Sequence, residues 1–132
     1  MTRLADGLSW IDLRFLGKPH AIATAVVSGG GELALIDPGP TPCLETLELG
    51  LQALGLRLSA VTHLLLTHIH LDHAGGAGLL MSKLPNARLT VHPRGTRHMI
   101  DPAKLIQGTI AVYGERHMRE MYGEILPVDA AR

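Results

Sequence analysis

Aromatic side chains are scarce: one Trp, two Tyr and one Phe among 132 residues. The core must therefore be aliphatic. Cysteine is scarcer still. Cys43 stands alone, which excludes an intramolecular disulfide and suits a reducing compartment. Neither sign of charge dominates, since Lys plus Arg and Asp plus Glu are both 12 and the formal net charge is zero. That disfavours a strongly electrostatic nucleic-acid partner, although a neutral total leaves room for a local patch. No apolar run approaches the ~20 residues of a membrane span. The N-terminus lacks the basic-then-apolar pattern of a signal peptide. No membrane partner is expected, and the cytoplasm is the expected location. What remains is a chain of single-domain length, 46% hydrophobic, with enough apolar residues for a core.

The most informative stretch is Thr67-His68-Ile69-His70-Leu71-Asp72-His73-Ala74-Gly75-Gly76, directly after the apolar run Leu64-Leu65-Leu66. Three imidazoles and one carboxylate stand within six residues, in the order His-x-His-x-Asp-His. These are the ligand types that zinc and similar divalent ions take. In an extended segment residues i and i+2 point the same way, so His68 and His70 can converge on one ion. Asp72 and His73 fall where a helix begins and suit a second ion. Two metals a few ångströms apart can clamp a substrate oxygen and activate a shared water. Packing alone is a poor explanation for four such side chains between a buried strand and a Gly-rich helix.

This segment resembles the signature of the metallo-β-lactamase superfamily of metallo-hydrolases. Leu35-Ile36-Asp37-Pro38-Gly39 resembles the second, shorter motif of the same superfamily. The likeness in pattern runs from about Ala21 to His92. The resemblance implies an αββα sandwich, an α/β fold built from a βαβ-type half and its repeat, with the metal site shared between halves. It implies His68, His70, Asp72 and His73 as metal ligands, zinc as the cofactor with two ions in a complete domain, and iron or manganese as alternatives. It also implies that Asp72 can handle protons as a general base.

The remaining chain supplies a frame. Leu8 to Leu16 alternates as a strand, and Ala21 to Ser28 reads as a second. Gly29-Gly30-Gly31 then suggests a hairpin into a third strand, Glu32 to Asp37. Asp37-Pro38-Gly39-Pro40 stops that strand. Thr41 fits an N-cap and Pro42 a first helical position for a helix over 42–54. Leu44, Leu47, Leu51 and Leu54 form its apolar face, Gly55 ends it, and Cys43 reads as a buried or half-buried thiol. Strand 61–67, helix 74–84 and strand 87–92 follow. Gly75, Gly76 and Gly78 let the helix approach a sheet or a metal site closely. A short helix is expected over 94–100, another over 109–125, and an unstructured end over 127–132.

Strands 32–37, 61–67 and 87–92 with their intervening helices make two βαβ units. Right-handed crossovers then give parallel neighbours that end on one edge. Asp37, the His68–His73 cluster and His92 meet at that edge, outside the carboxyl ends of the strands where ligands of open α/β sheets bind. Asp37 suits an outer role, orienting a ligating imidazole or the motif loop through hydrogen bonds. Its alternative is a strand-end turn residue. His92 is placed near the site but matches no ligand of the family motif. His63, five residues from His68, faces away and reads as a hydrogen-bonded structural residue. His20, His98 and His117 lie outside ligand spacing and read as surface or packing residues.

The family's further ligands, a His, a bridging Asp and a final His, come from later segments, so the resemblance covers the amino-terminal half of the domain. The whole of 1–132 is expected to be one such domain, cut after its first half, with one sheet face left uncovered. The leading functional expectation is a zinc-dependent hydrolase in which water on the metal attacks an ester, thioester, lactone or related bond of a small-molecule substrate. The alternatives are an incomplete, non-catalytic metal-binding or interaction module that needs a second half or a second copy, and a superfamily nuclease, which the zero net charge disfavours. A redox role with two irons is a further option, but no flavin-binding segment is visible.

Overall fold

In the computed structural model, which describes residues 2–132, six strands form one sheet in the order of the sequence. They are β1 (Thr2–Ala5), β2 (Leu8–Asp12), β3 (Ala23–Gly29), β4 (Glu32–Ile36), β5 (His63–Leu65) and β6 (Arg88–Thr90). The first four pair antiparallel through hairpins. In the β3–β4 turn Gly29 pairs with Glu32, while Gly30 and Gly31 take φ of 59° and 80°. Two consecutive positive φ angles match the right-handed strand twist, and only glycine adopts them without strain. The β4–β5 and β5–β6 pairs are parallel, as the two crossovers require.

The crossovers carry α1 (Leu44–Ala53) and then α2 (Leu71–Ala74) with α3 (Ala77–Ser82); α4 (Pro93–Ile100), α5 (Ala103–Tyr113) and α6 (Glu115–Tyr122) follow β6. Side chains alternate across the sheet. Ile11, Val26, Leu33, Leu35 and Leu64 point to one face and are buried there with Leu47 and Leu51 of α1 and Leu80 of α3. Gly50 lets α1 lie on β2, for a Cβ there would stand 2.5 Å from Ile11 Cγ2. The other face carries Leu8, Trp10, Val27, Ile36 and Leu65. Leu8 and Val27 are exposed and the other three half-buried. The helices after β6 pack chiefly on one another and on the turn before α1, and this face is only partly covered. Cys43 is buried, and burial pushes its thiol pKa up.

Several expected boundaries move, each for a long-range or backbone reason. β1 has no counterpart among the expected strands, as its four residues are all exposed and show no alternation. The strand expected over 8–16 stops at Asp12. The carboxylate of Asp12 accepts the N–H groups of Arg14 (3.0 Å) and His20 (2.9 Å), holding a loop in which Arg14, Leu16 and His20 are left-handed. Those bonds hold its carboxyl pKa below the usual value. Thr41 does not cap α1. It sits in a 3-10 turn, Thr41–Cys43, and its hydroxyl donates to the Glu124 carbonyl at 2.6 Å. The helix expected over 74–84 is divided at Gly75-Gly76, and the one over 109–125 is two helices broken at Gly114 (φ 82°, ψ 156°). The stretch 127–132 is ordered against the body. Val128 is buried, its N–H reaches the Met99 carbonyl at 2.8 Å, and the Arg132 guanidinium donates to the carbonyls of Met81, Leu84 and Ala87.

Two glycines should respond oppositely to one added methyl. A Cβ on Gly78 would collide with the Leu126 backbone carbonyl, whereas one on Gly108, inside α5, meets nothing within 4 Å. Gly78→Ala should destabilise by about 1–3 kcal/mol through overpacking. Gly108→Ala should stabilise by roughly 0.5–1 kcal/mol through helix entropy. Urea unfolding of both variants checks the pair, and a Gly78→Ala protein as stable as the parent would contradict the docking of 126–128.

Candidate metal centre

The site begins with the ends of two parallel strands. β4 finishes at Ile36, and Asp37 continues the ladder by donating its N–H to the Leu65 carbonyl at 2.9 Å. Asp37 then turns left-handed, with φ of 56°. For an L-residue that conformation costs roughly 1–2 kcal/mol, though Asp tolerates it better than most. Its buried carboxylate accepts two bonds from Thr67, just past β5: Oδ1 from the backbone N–H at 2.8 Å and Oδ2 from the hydroxyl at 2.6 Å. Each hydrogen bond to a charged group contributes about 1.5–3 kcal/mol, so the pair outweighs the turn. Thr24 adds a third tie by donating its hydroxyl to the Asp37 carbonyl at 2.9 Å.

Thr67 is also the link to the imidazoles. Its Oγ1 lies 2.8 Å from Nδ1 of His68. The hydroxyl proton is engaged by Asp37, so Oγ1 can accept from an Nδ1–H, and that tautomer leaves Nε2 of His68 with a free lone pair. Asp37 is therefore linked to a ligand-type ring through Thr67. Thr67 itself is a residue of the candidate site that the sequence pattern did not single out. Its one signal is a hydroxyl immediately before the first His of the motif.

The expected ligand-type residues come together. Ligand atoms of His68, His70 and Asp72 lie within 4.8 Å of one another, and so do those of Asp37, His68 and His73. The His68 ring centroid is 4.8 Å from that of His70 and 4.4 Å from that of His73. β5 ends at Leu65, so His68 and His70 converge from an extended turn beyond the strand. Asp72 and His73 occupy the short helix α2. The two expected pairs, His68 with His70 and Asp72 with His73, each lie close together, and the groupings overlap. Asp72 groups with both His68 and His70, while Asp72 Oδ2 also lies 3.4 Å from His73 Nε2. His73 Nδ1 is 3.4 Å from Asp37 Oδ2 but not aimed to bond with it, leaving a buried ring nitrogen without a partner. Such a nitrogen is costly to bury unless something binds it. With four other imidazole and carboxylate donors around it, the donor set fits a divalent ion of the zinc type.

The other histidines separate from this cluster. His92 caps α4, its Nδ1 accepting the Arg94 N–H at 3.1 Å, and shares a cavity wall with His68 without joining either donor group. His98, expected as a surface or packing residue, lines the same cavity. His63 lies at the start of β5 with Nε2 3.3 Å from Glu32 Oε1, a structural interaction as expected. His20 approaches Asp12 at 3.8 Å, and His117 is exposed.

A cleft of about 530 Å³ opens beside His70 and Asp72, walled by Ile69, Leu105, Tyr113 and Tyr122. Burial, with the negative charge of Asp72 adding, raises the Tyr122 pKa, so the phenol stays protonated at neutral pH. Close backbone approach seats α2 and α3 against the Asp37 loop. Gly39 donates to the His73 carbonyl at 2.9 Å and accepts from Gly76 at 2.8 Å. A Cβ on Gly76 would stand 2.7 Å from that Gly39 oxygen.

A family model described as metallo-beta-lactamase superfamily matches residues 17–128. Among curated proteins none matches. Among solved structures, the FEZ-1 metallo-beta-lactamase from Legionella gormanii is similar with a TM-score of 0.70 at 19% identity, covering 97% of this chain and 44% of that one. BJP-1, a subclass B3 metallo-beta-lactamase of Bradyrhizobium japonicum, gives 0.68 at 20% identity, with 96% and 42% covered. A metallo-beta-lactamase from Cronobacter sakazakii gives 0.66 at 17% identity, with 96% and 44% covered. At such identities the likeness is one of fold, and this chain spans less than half the length of each.

Asp37→Asn removes one acceptor from the Thr67 pair, and Thr67→Val removes the bridge to His68. Each should weaken divalent-metal affinity within the ~10–100-fold range of outer partners while leaving His68, His70, Asp72 and His73 in place. Competition with a chromophoric chelator measures this, and parent-like affinity in both variants would show that the relay does not tune the site.

Proposed function

The chain belongs to the metallo-beta-lactamase superfamily, matched over residues 17–128, and from that premise we propose that it carries the metal-binding part of a metal-dependent hydrolase. The observation that carries the reading is the convergence of His68, His70, Asp72 and His73 beside an open cleft. These four residues would hold the metal, zinc in the first instance, with iron or manganese compatible with the same donors. A divalent ion there would supply Lewis acidity, able to polarise a substrate oxygen and to lower the pKa of water near it.

The protein's own residues do the rest. Asp37 and Thr67 hold His68 in one tautomer. Asp72, at the edge of the cleft, accepts a proton as general base. Tyr122, protonated and adjacent, can donate a hydrogen bond to the carbonyl of a bound ester. The apolar walls formed by Ile69 and Leu105 exclude water and take a small-molecule ester, thioester or lactone. Nuclease activity is the weaker alternative, because the chain has no net charge.

A second reading has its own support. The partly covered sheet face, with Leu8 and Val27 exposed, fits a module that hydrolyses substrate only when a complementary half covers that face. Zinc titration separates the two readings. Two tight equivalents with ester hydrolysis by the 132-residue chain support the hydrolase alone. Substoichiometric binding without turnover supports the module. In either case His68→Ala/His70→Ala should lose the bound zinc, measured by elemental analysis of purified protein, and unchanged zinc content would overturn both.

A further inference from the structure

A second cavity, of about 500 Å³, lies on the other side of the motif turn from the cleft, with Ile69 lining both. Its walls are Thr67 and His68 on one side and the first two turns of α4 on the other, including His92, Arg94, Arg97 and His98. No Asp or Glu is among its lining residues, and among the described residues neither arginine forms an ion pair. In a chain with equal numbers of acids and bases, this is a local excess of positive charge beside the metal ligands.

Two features set the cavity apart from a chance run of basic residues. Gly95 is buried, and a Cβ there would stand 2.7 Å from Ile69 Cγ2 and 3.0 Å from Val91 Cγ2. The absence of a side chain at Gly95 lets α4 lie close against the motif turn, and Arg94 and Arg97 line the cavity beside it. Arg94 also sits in the first turn of α4, which contains no acidic residue. A helix N-terminus carries partial positive charge, so stability alone favours a carboxylate there. Placing a guanidinium at that end sacrifices helix stability and concentrates positive charge. A choice that opposes local stability is expected at functional positions.

We propose that this cavity is an anion subsite for a phosphate group. Two guanidinium groups with their planar donor forks, and two imidazoles, match the several oxygens and double charge of a phosphate monoester better than a single carboxylate. Its use for substrate rests on the hydrolase reading above: the phosphate of an anionic ester docks at α4 while the scissile bond lies over His68 and His70. Anion binding itself does not depend on that reading. Arg94 and Arg97 are then positioning residues, which hold the substrate without touching the reacting atoms.

The test uses the 132-residue protein stripped of metal with chelator, at low ionic strength. Inorganic phosphate is titrated while the imidazole NMR signals of His92 and His98 are followed, with acetate as the carboxylate control. Saturable shifts with phosphate, weaker with acetate, are expected. Arg94→Ala/Arg97→Ala should weaken binding by about tenfold or more for each charge-assisted hydrogen bond removed. Arg94→Lys/Arg97→Lys should fall between, since charge remains without the fork. Circular dichroism checks that α4 persists in the variants. No saturable shift, equal binding by the double alanine variant, or acetate binding as tightly as phosphate would each overturn the proposal. Zinc binding measured in parallel keeps the two readings apart, because phosphate binding with no zinc binding would remove the hydrolase reading and leave the anion site.

Discussion

The Asp37 carboxylate joins two strand ends that the sheet alone would leave to diverge. The hydrogen-bond ladder between β4 and β5 stops where the donor cluster begins. Beyond it, the two bonds from Thr67 to Asp37, with those of Gly39 to His73 and Gly76, hold the loops together. The Asp37 carbonyl is tied in turn to Thr24 on β3, so three adjacent strands share one anchor. His68 inherits its ring orientation from this arrangement, and His73 lies against it from the other side. A buried carboxylate is tolerated only when its lone pairs are satisfied. The anchor and the donor cluster are therefore one structure rather than a scaffold with a site attached.

Close approach of backbone is the second constraint. Gly39 and Gly76 bring the helix after the motif against the Asp37 loop, and Gly95 brings α4 against Ile69. Helices normally pack with axes about 8–10 Å apart because side chains intervene. At these points the side chain is absent, and polar groups from α2 and α4 reach the same few ångströms of the sheet edge. The effect is asymmetric. One side of the turn faces a cleft with Tyr122 and Asp72, and the other a cavity with Arg94 and Arg97. A metal held between them would present two chemically different surfaces to one substrate.

Much of this was legible in the chain. The His-x-His-x-Asp-His spacing singled out the candidate donors that the fold brings together. The order strand–helix–strand–helix–strand put Asp37 and the cluster on one edge, because right-handed crossovers allow few other outcomes. The triple glycine marked the hairpin. Legibility failed where a residue's partner is far away in sequence. Thr41 carries the local signature of a cap, yet its hydroxyl is taken by Glu124. Val128 to Arg132 has no periodicity, yet it is held by Met99, Leu89 and the end of α3. His98 gave no signal because nothing local reveals that α4 folds back beside His68.

Sequence by itself determined the identity and spacing of the candidate donors, the alternation that makes one sheet face apolar, and the parallel order of the last three strands. These depend on covalent order, side-chain period and handedness, all of which are local. Tertiary structure decided which donors group around which, that Thr67 links Asp37 to His68, and that Arg94 and Arg97 line a cavity of the site. Those outcomes depend on distances between groups far apart in the chain, such as Asp37 and Thr67, which are separated by 30 residues. Such distances follow from how closely glycine-lined backbones pack, a property of the assembled core.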